Sequence, residues 1–172
     1  MVSPDEALKR LLEGNRRYAQ EKSIHPNRDQ ERRSATIKAQ QPFAVILGCS
    51  DSRVPAEVLF DAGIGDLFVV RVAGNVLGPI ELASIRLATT QLGVNFVFVL
   101  GHESCSAVNA VLSKQSDLIA PIADLIDIGA ATTLEDAVKT NIKHITAQLS
   151  KELDIAVAGG YYSLEIGRVN LI

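Results

Sequence analysis

The sequence predicts an α/β fold: a mainly parallel central sheet flanked by helices, with an antiparallel C-terminal edge strand, in a single domain over residues 1–172. Two observations carry this prediction. Continuous apolar runs of strand length recur at residues 43–48, 66–72 and 94–101, as fully buried strands require. Segments with the apolar spacing of helices alternate with these runs, and such alternation is typical of a parallel sheet covered on both faces.

The N-terminal 40 residues predict a helical arm that precedes an α/β core over residues 41–172. In the stretch SPDEALKRLLEGNRRYAQ, Ser3 can cap a helix, Pro4 suits its first position, and apolar residues follow at helical spacing. A loop and a second short helix at residues 31–40 complete the arm.

The rest of the core continues the alternation. Residues 79–93 predict the helix between the second and third strands, and another helix is expected at about residues 103–112. A Thr-capped amphipathic helix covers residues 133–153, and the chain ends in two strands joined by a turn at 165–167. Residues 113–132 show no clear pattern.

Composition and charge exclude several classes of function. The net charge of −3, with Lys and Arg spread along the chain, argues against a nucleic-acid partner. No apolar run approaches the roughly 20 residues that span a bilayer, and the acidic N-terminus is unlike a signal peptide. We therefore expect a cytoplasmic protein. In that reducing setting, cysteines more often bind metal or react than form disulfides.

Both cysteines of the chain follow predicted strands. Cys49 comes directly after the first strand, and His102 and Cys105 come after the third. Because ligands gather at the carboxyl ends of parallel strands, these three side chains can meet. At a helix start, the i, i+3 spacing would place His102 and Cys105 on one face, and the helix N-terminus would lower the thiol pKa.

Two thiolates and one imidazole suit Zn²⁺ with an open fourth position. The alternative for Cys49 and for Cys105 is a small buried core residue. A disulfide enzyme is a weaker alternative, because neither cysteine lies in a C-x-x-C motif.

Asp51 and Arg53 follow Cys49 closely. An aspartate and an arginine at this spacing can simply be structural partners in a turn. In a functional role, Arg53 would keep Asp51 ionised and aim it at solvent on the metal. Asp51 could instead bind the metal itself and close the site.

The motifs CSDSR and HxxC, with GDLFVVRVAGN between them, resemble those of the β-class carbonic anhydrases, and the similarity covers nearly the whole chain. The resemblance implies that Cys49, His102 and Cys105 bind one Zn²⁺ per subunit and that Asp51 and Arg53 form a catalytic dyad. It implies a carbonate dehydratase, a zinc lyase that reversibly hydrates CO₂ to bicarbonate and a proton through hydroxide on the zinc.

The resemblance also implies a substrate site and a homo-oligomer. Gln40 matches a glutamine that contacts substrate across a subunit interface, and Phe68 and Ala73 match residues that line an apolar pocket. Family members are homodimers or larger, with N-terminal helices that pack on the partner. The expected partners are the small substrate and a second copy, with neither nucleic acid nor membrane, and the expected location is the cytoplasm, free or inside a bacterial microcompartment.

Three residues near the implied substrate site depart from the family's pattern. Arg86 stands for a glutamate, Leu87 for a pocket tyrosine and Ser106 for a glycine, and we retain Leu87 and Ser106 as candidate substrate-binding residues. These departures leave metal binding intact but put the rate and the substrate in question. The alternatives are a hydrolase of carbonyl sulfide or carbon disulfide, and a catalytically weak zinc-binding relative with a scaffold or sensor role.

We expect the zinc site to be open at neutral pH. Family members that close the site use a tryptophan three residues before the first cysteine, together with an arginine, to bind inhibitory bicarbonate. The chain has no tryptophan and carries Ile46 at that position, although Arg71 matches the arginine. The resemblance thus predicts weak or no inhibition by bicarbonate.

Overall fold

The computed structural model describes all residues of the chain, 1–172. The strands are β1 (Ala44–Gly48), β2 (Leu67–Arg71), β3 (Phe96–His102), β4 (Ala156–Tyr162) and β5 (Val169–Leu171). The helices are α1 (Pro4–Ala19), α2 (Gln30–Thr36), α3 (Ala56–Leu59), α4 (Pro79–Gln91), α5 (Ser106–Leu112), α6 (Ala120–Ala123) and α7 (Leu134–Glu152). Short 3₁₀ turns lie at Ala73–Asn75 and Asp117–Ile119.

The five strands form one sheet in the order β2-β1-β3-β4-β5. β1 pairs in parallel with β2 and with β3, β3 pairs in parallel with β4, and β5 is antiparallel to β4 at the edge. The predicted fold class is therefore confirmed. Gly48 at the end of β1 lies opposite Leu100 near the end of β3, so the segments that follow these strands start at the same edge of the sheet.

The sheet separates two hydrophobic cores. Val45 and Leu47 of β1 belong to the core under α4, α5 and α7, whereas Ala44 and Ile46 belong to the core under α1 and α3. This division follows from the alternation of side chains along a strand. Because both faces are covered, every residue of β1 is buried, which explains why the strand has no polar alternation in the sequence.

The N-terminal helix begins as predicted and packs on its own chain. Ser3 Oγ accepts a hydrogen bond from Glu6 N at 3.3 Å, and Pro4 is the first helical residue. Ala7 and Leu11 on the inner face of α1 are fully buried in the core that also contains α3. The division into an arm and a core stays an interpretation, and the packing of α1 on a partner stays a prediction.

The helix expected from residue 103 begins only at Ser106, and β3 continues through His102. The intervening turn contains Ser104 with φ of 56°, a left-handed conformation that a continuing helix excludes. Cys105 is therefore the N-cap of α5. The prediction that His102 and Cys105 share a helix face is wrong, because one belongs to a strand and the other to a helix cap.

Two other segments refine the sequence predictions. The second helix, α2, ends at Thr36 and so is shorter than the predicted segment 31–40. The patternless segment 113–132 contains only a 3₁₀ turn and the four-residue α6.

None of the seven helices combines the length and the apolar character that a membrane span requires.

Candidate metal centre

Three predicted ligands meet at the carboxyl edge of the sheet. Cys49 directly follows β1, and His102 is the last residue of the neighbouring strand β3. The turn after His102 brings Cys105 back toward Cys49. All three side chains are buried, with relative exposures of 4% for Cys49, 0% for His102 and 1% for Cys105.

The distances between the ligand atoms suit one metal ion. The two Sγ atoms lie 4.0 Å apart, and the two sulfurs and a ring nitrogen of His102 all lie within 4.8 Å of one another. A tetrahedral zinc with Zn–S bonds of about 2.3 Å separates two sulfurs by roughly 3.8 Å. The spacing of the thiols is therefore close to what zinc requires.

His102 has one nitrogen held by the main chain and one without a partner. Nδ1 lies 2.8 Å from the carbonyl oxygen of Glu103, which makes Nδ1 the protonated nitrogen and gives Nε2 the free lone pair. Nε2 is buried and has no hydrogen-bond partner in the chain. A buried polar atom without a partner is costly, and ligation of a cation would remove that cost. The residues therefore fit a zinc ion.

The proximity of the two thiols separates their pKa values. The hydrogen bond with Cys105 lowers the pKa of Cys49 to about 4, against the opposing effect of burial. The same hydrogen bond, with burial, raises the pKa of Cys105 far above its usual range, although the N–H groups of Ala107 and Val108 act in the opposite direction. The helix N-terminus thus acts on this thiol in the predicted direction, but the neighbouring sulfur and burial outweigh it, so the pKa of Cys105 is raised. Because a metal binds cysteine sulfur as thiolate, a divalent cation would displace a proton from Cys105 on binding.

Asp51 and Arg53 form a bidentate ion pair beside the ligands. Arg53 Nη2 donates to Asp51 Oδ2 at 2.8 Å, and Arg53 Nε and the Arg53 main-chain N–H both donate to Oδ1 at 2.9 Å. These hydrogen bonds hold the pKa of Asp51 well below its usual range, although desolvation opposes them. Asp51 Oδ2 lies 4.0 Å from His102 Nε2, so an ionised carboxylate borders the ligand cluster.

Arg71 holds the loop that carries both a ligand and the carboxylate. Its Nε donates to the carbonyl oxygen of Cys49 at 2.9 Å, and its Nη2 donates to that of Asp51 at 2.6 Å. The resemblance associates Arg71 only with inhibitory bicarbonate, so this role was not predicted. The available signal was an arginine at the carboxyl end of the strand next to Cys49. Ile46, which stands where the family members that close the site carry a tryptophan, is fully buried.

Three of the predicted substrate residues either follow a ligand in the chain or pack against the core that contains both cysteines. Phe68 and Ala73 are partly buried and pack against the core cluster that contains both cysteines. Ser106 is exposed, follows Cys105 at the start of α5, and lines an open groove of about 420 Å³.

The other two predicted substrate residues lie on the surface of the single chain. Gln40 is exposed and lines an open groove formed by the segment 36–41, Ile64 and the end of α4. Leu87 is 53% exposed on α4. The neighbouring Arg86 is also exposed and pairs with Glu152 at 2.6 Å, so the charge reversal at Arg86 has a partner and causes no buried charge.

These features define a parallel α/β protein with a buried Cys–His–Cys centre at the carboxyl edge of its sheet. The carbonic anhydrase family profile matches residues 44–169. The chain is 38% identical over 192 aligned positions to a carbonic anhydrase of Mycolicibacterium smegmatis, with 98% of this chain and 93% of the relative covered. The chain therefore belongs to the β-class carbonic anhydrase family, a family of lyases.

Solved structures agree on the fold. The β-carbonic anhydrase CcaA superimposes with a TM-score of 0.70 at 22% identity, and the match covers 95% of this chain and 94% of CcaA. One of two β-carbonic anhydrases of Sordaria macrospora, described as tetrameric, gives a TM-score of 0.64 at 21% identity, with 96% of each chain covered. At these identities the likeness establishes the fold alone.

Proposed function

We propose that this chain reversibly hydrates CO₂ to bicarbonate and a proton, with one Zn²⁺ per subunit held by Cys49, His102 and Cys105. The observation that carries the proposal is the unpartnered, buried Nε2 of His102 beside two thiols whose sulfurs are 4.0 Å apart. Family membership supplies the reaction class, and the donor set supplies the metal. A bound Zn²⁺ would act as a Lewis acid that activates a water molecule at its open fourth position.

The protein's own residues prepare the site for this chemistry. The main chain holds His102 in one tautomer through Nδ1, and Arg71 holds the Cys49–Asp51 loop through two carbonyl oxygens. His102 and the loop that carries Cys49 are thus oriented before a metal arrives. Such outer contacts typically change metal affinity or activity by about 10–100-fold when they are removed.

Asp51 orients and does not act as the base in this proposal. Its lowered pKa keeps it ionised at neutral pH, where a strongly acidic group is a poor proton acceptor but a good hydrogen-bond acceptor. Because Arg53 engages both carboxylate oxygens, Asp51 is directed toward solvent at the metal and away from ligation. We propose an open site at neutral pH on this ground.

The substrate would approach along the apolar side of the site. Phe68 and Ala73 supply apolar surface next to the core that holds the cysteines, and CO₂ has no net charge or dipole that would need polar partners. The exposed Ser106 and the surface residues Gln40 and Leu87 keep their proposed roles in substrate binding, with Gln40 reaching a neighbouring copy's site.

A homo-oligomer in the cytoplasm completes the proposal. The outer face of α1 carries an open groove of about 430 Å³, lined by Leu8, Leu12 and charged residues, onto which a second copy can pack. The tetrameric Sordaria proteins share the fold. We propose a dimer or larger assembly without nucleic-acid or membrane partners, located in the cytoplasm either free or within a microcompartment.

Cys105→Ser tests the metal site and the reaction together. The serine hydroxyl is a poor zinc ligand, so we expect loss of stoichiometric zinc by elemental analysis and loss of CO₂ hydration by stopped flow. Ala110→Ser, which adds a hydroxyl to the same helix α5, is the matched control and keeps both.

The wild-type chain separates the alternatives. Stoichiometric zinc without CO₂ hydration would overturn the proposed reaction and favour a scaffold or sensor role. Sulfide release from carbonyl sulfide at a rate above CO₂ hydration would favour the hydrolase. A chain that binds no zinc would refute the proposal as a whole.

A further inference from the structure

A buried asparagine on α7 is linked to a metal ligand through one intervening residue. Asn141 is 1% exposed, and its Nδ2 donates to the carbonyl oxygen of Gly74 at 3.0 Å. The N–H of the same Gly74 donates to Cys49 Sγ at 3.3 Å. The other end of the Asn141 amide is also occupied, because Oδ1 accepts from the main-chain N–H of Asp127 at 3.2 Å.

The main-chain conformation at Gly74 depends on the groups around it. It has φ of 72° and ψ of 12°, in the left-handed region that favours glycine. A Cβ at this position would lie 3.0 Å from Ile126 Cδ1 and 3.2 Å from Ala107 Cβ. The freedom that glycine needs for this geometry also allows other geometries, so a partner that holds its carbonyl helps to keep its N–H directed at the sulfur.

We infer that Asn141 is a positioning residue of the metal centre: by holding the Gly74 carbonyl, it keeps the Gly74 N–H aimed at Cys49 Sγ. This inference rests on the proposed metal site. An N–H···S hydrogen bond withdraws charge from a thiolate and fixes its orientation, so it influences both the affinity and the electronic structure of a metal–thiolate bond. Asn141 would thus act on the metal without touching it.

The chain provides a matched control for loss of a buried asparagine. Asn15 is 3% exposed, its Nδ2 donates to the carbonyl oxygens of Leu59 and Gly167, and its Oδ1 accepts from Val169 N. Like the amide of Asn141, the amide of Asn15 bridges main-chain groups from distant parts of the chain. It joins α1 to α3 and to the β4–β5 connection, and it has no link to the metal centre.

The test compares Asn141→Leu with Asn15→Leu, using Co²⁺ as the probe in metal-depleted protein. We expect Asn141→Leu to weaken Co²⁺ affinity by roughly 10–100-fold and to shift the thiolate-to-cobalt charge-transfer band. Asn15→Leu should lower the melting temperature while keeping the affinity and the band of the wild type. A purely structural role for Asn141 would lower the melting temperature and leave the band in place.

The serine pair, Asn141→Ser and Asn15→Ser, keeps a polar atom and decides the matter by the same readouts if a leucine variant does not fold. An unchanged band and affinity in the Asn141 variants would overturn the inference while leaving the proposed function intact. A wild-type chain that binds no Co²⁺ would overturn the proposed metal site along with it.

Discussion

At the scale of single residues, the candidate site depends on side chains whose partners leave them one orientation. Asp51 illustrates this: both of its oxygens accept hydrogen bonds from Arg53, while the loop around it is held by Arg71. The carboxylate is therefore ionised and fixed before any substrate arrives. In the proposed function, this arrangement would separate metal binding by the sulfurs and the imidazole from orientation of the reacting solvent by Asp51.

Asp51→Asn should separate these two tasks experimentally. The amide keeps the shape of the side chain but loses the charge that pairs with Arg53. We expect unchanged zinc content and a fall in kcat/KM of roughly 10–100-fold, measured by stopped-flow CO₂ hydration. Glu152→Gln removes the exposed ion pair with Arg86 and serves as the control, with neither quantity changed. Unchanged kcat/KM would exclude the orienting role, and loss of zinc would make Asp51 a ligand.

At the scale of elements, α1 approaches α3 so closely that only glycine fits between them. A Cβ on Gly14 would lie 1.9 Å from the carbonyl oxygen of Phe60 and 2.7 Å from its carbonyl carbon. Both atoms belong to the main chain, which cannot rotate away as a side chain can. This contact sets the distance between α1 and the C-terminal end of α3.

Gly14→Ala should therefore destabilise the protein, although alanine has a higher helix propensity than glycine. In an unobstructed helix this substitution stabilises by about 0.5–1 kcal/mol. Here we expect the free energy of unfolding to fall by at least 1–3 kcal/mol, the usual cost of overpacking, as measured by urea denaturation. Lys9→Ala on the exposed side of α1 should change it by less than about 0.5 kcal/mol. A stabilised Gly14→Ala would show that α1 does not pack as described.

At the scale of the whole molecule, one buried carboxylate ties the N-terminal segment to the core. Asp61 accepts hydrogen bonds from Arg17 Nε at 2.7 Å, from Ile24 N at 3.0 Å and from His25 N at 2.9 Å. Burial alone would raise its pKa, but these donors outweigh burial and lower it. The segment after α1 is therefore held by a charge that must remain ionised.

Asp61→Asn should reveal this charge through pH. Because the folded pKa is below the unfolded value of about 3.9, the stabilisation is complete above about pH 4 and is lost as pH falls through the folded pKa. We expect the free energy of unfolding of the variant at pH 7 to be lower by roughly 2–3 kcal/mol in urea denaturation. This is near the lower end of the cost of breaking a buried ion pair, because Arg17 is partly exposed.

The pH dependence itself provides the check. The stability difference between wild type and Asp61→Asn should stay constant from pH 7 to pH 5 and shrink toward pH 3. Asp124→Asn, which alters an exposed carboxylate without a hydrogen-bond partner, should give no difference at any of these pH values. A stability difference that is as large at pH 3 as at pH 7 would show that the ionised form of Asp61 does not stabilise the fold.

The order of strands and helices was predictable because burial on two faces leaves a continuous apolar run, and amphipathic packing leaves a helical period. The same patterns could not locate the start of α5, where Ser104 adopts a left-handed turn that no apolar spacing encodes. They also could not find the link from Asn141 through Gly74 to Cys49, because its members come from three distant parts of the chain.

The sequence by itself determined the fold class, the family and the three ligand types, because hydrophobic periodicity and short motifs are local properties of the chain. Only the tertiary structure decided which nitrogen of His102 is free for a metal, how far apart the two thiols lie, and which side chain holds the loop that carries Cys49 and Asp51. The free nitrogen of His102 depends on the turn at Glu103, whereas the thiol spacing and the loop contacts depend on distances between residues far apart in the chain. Such distances arise only when the strands pair in register and bring their carboxyl ends to one edge.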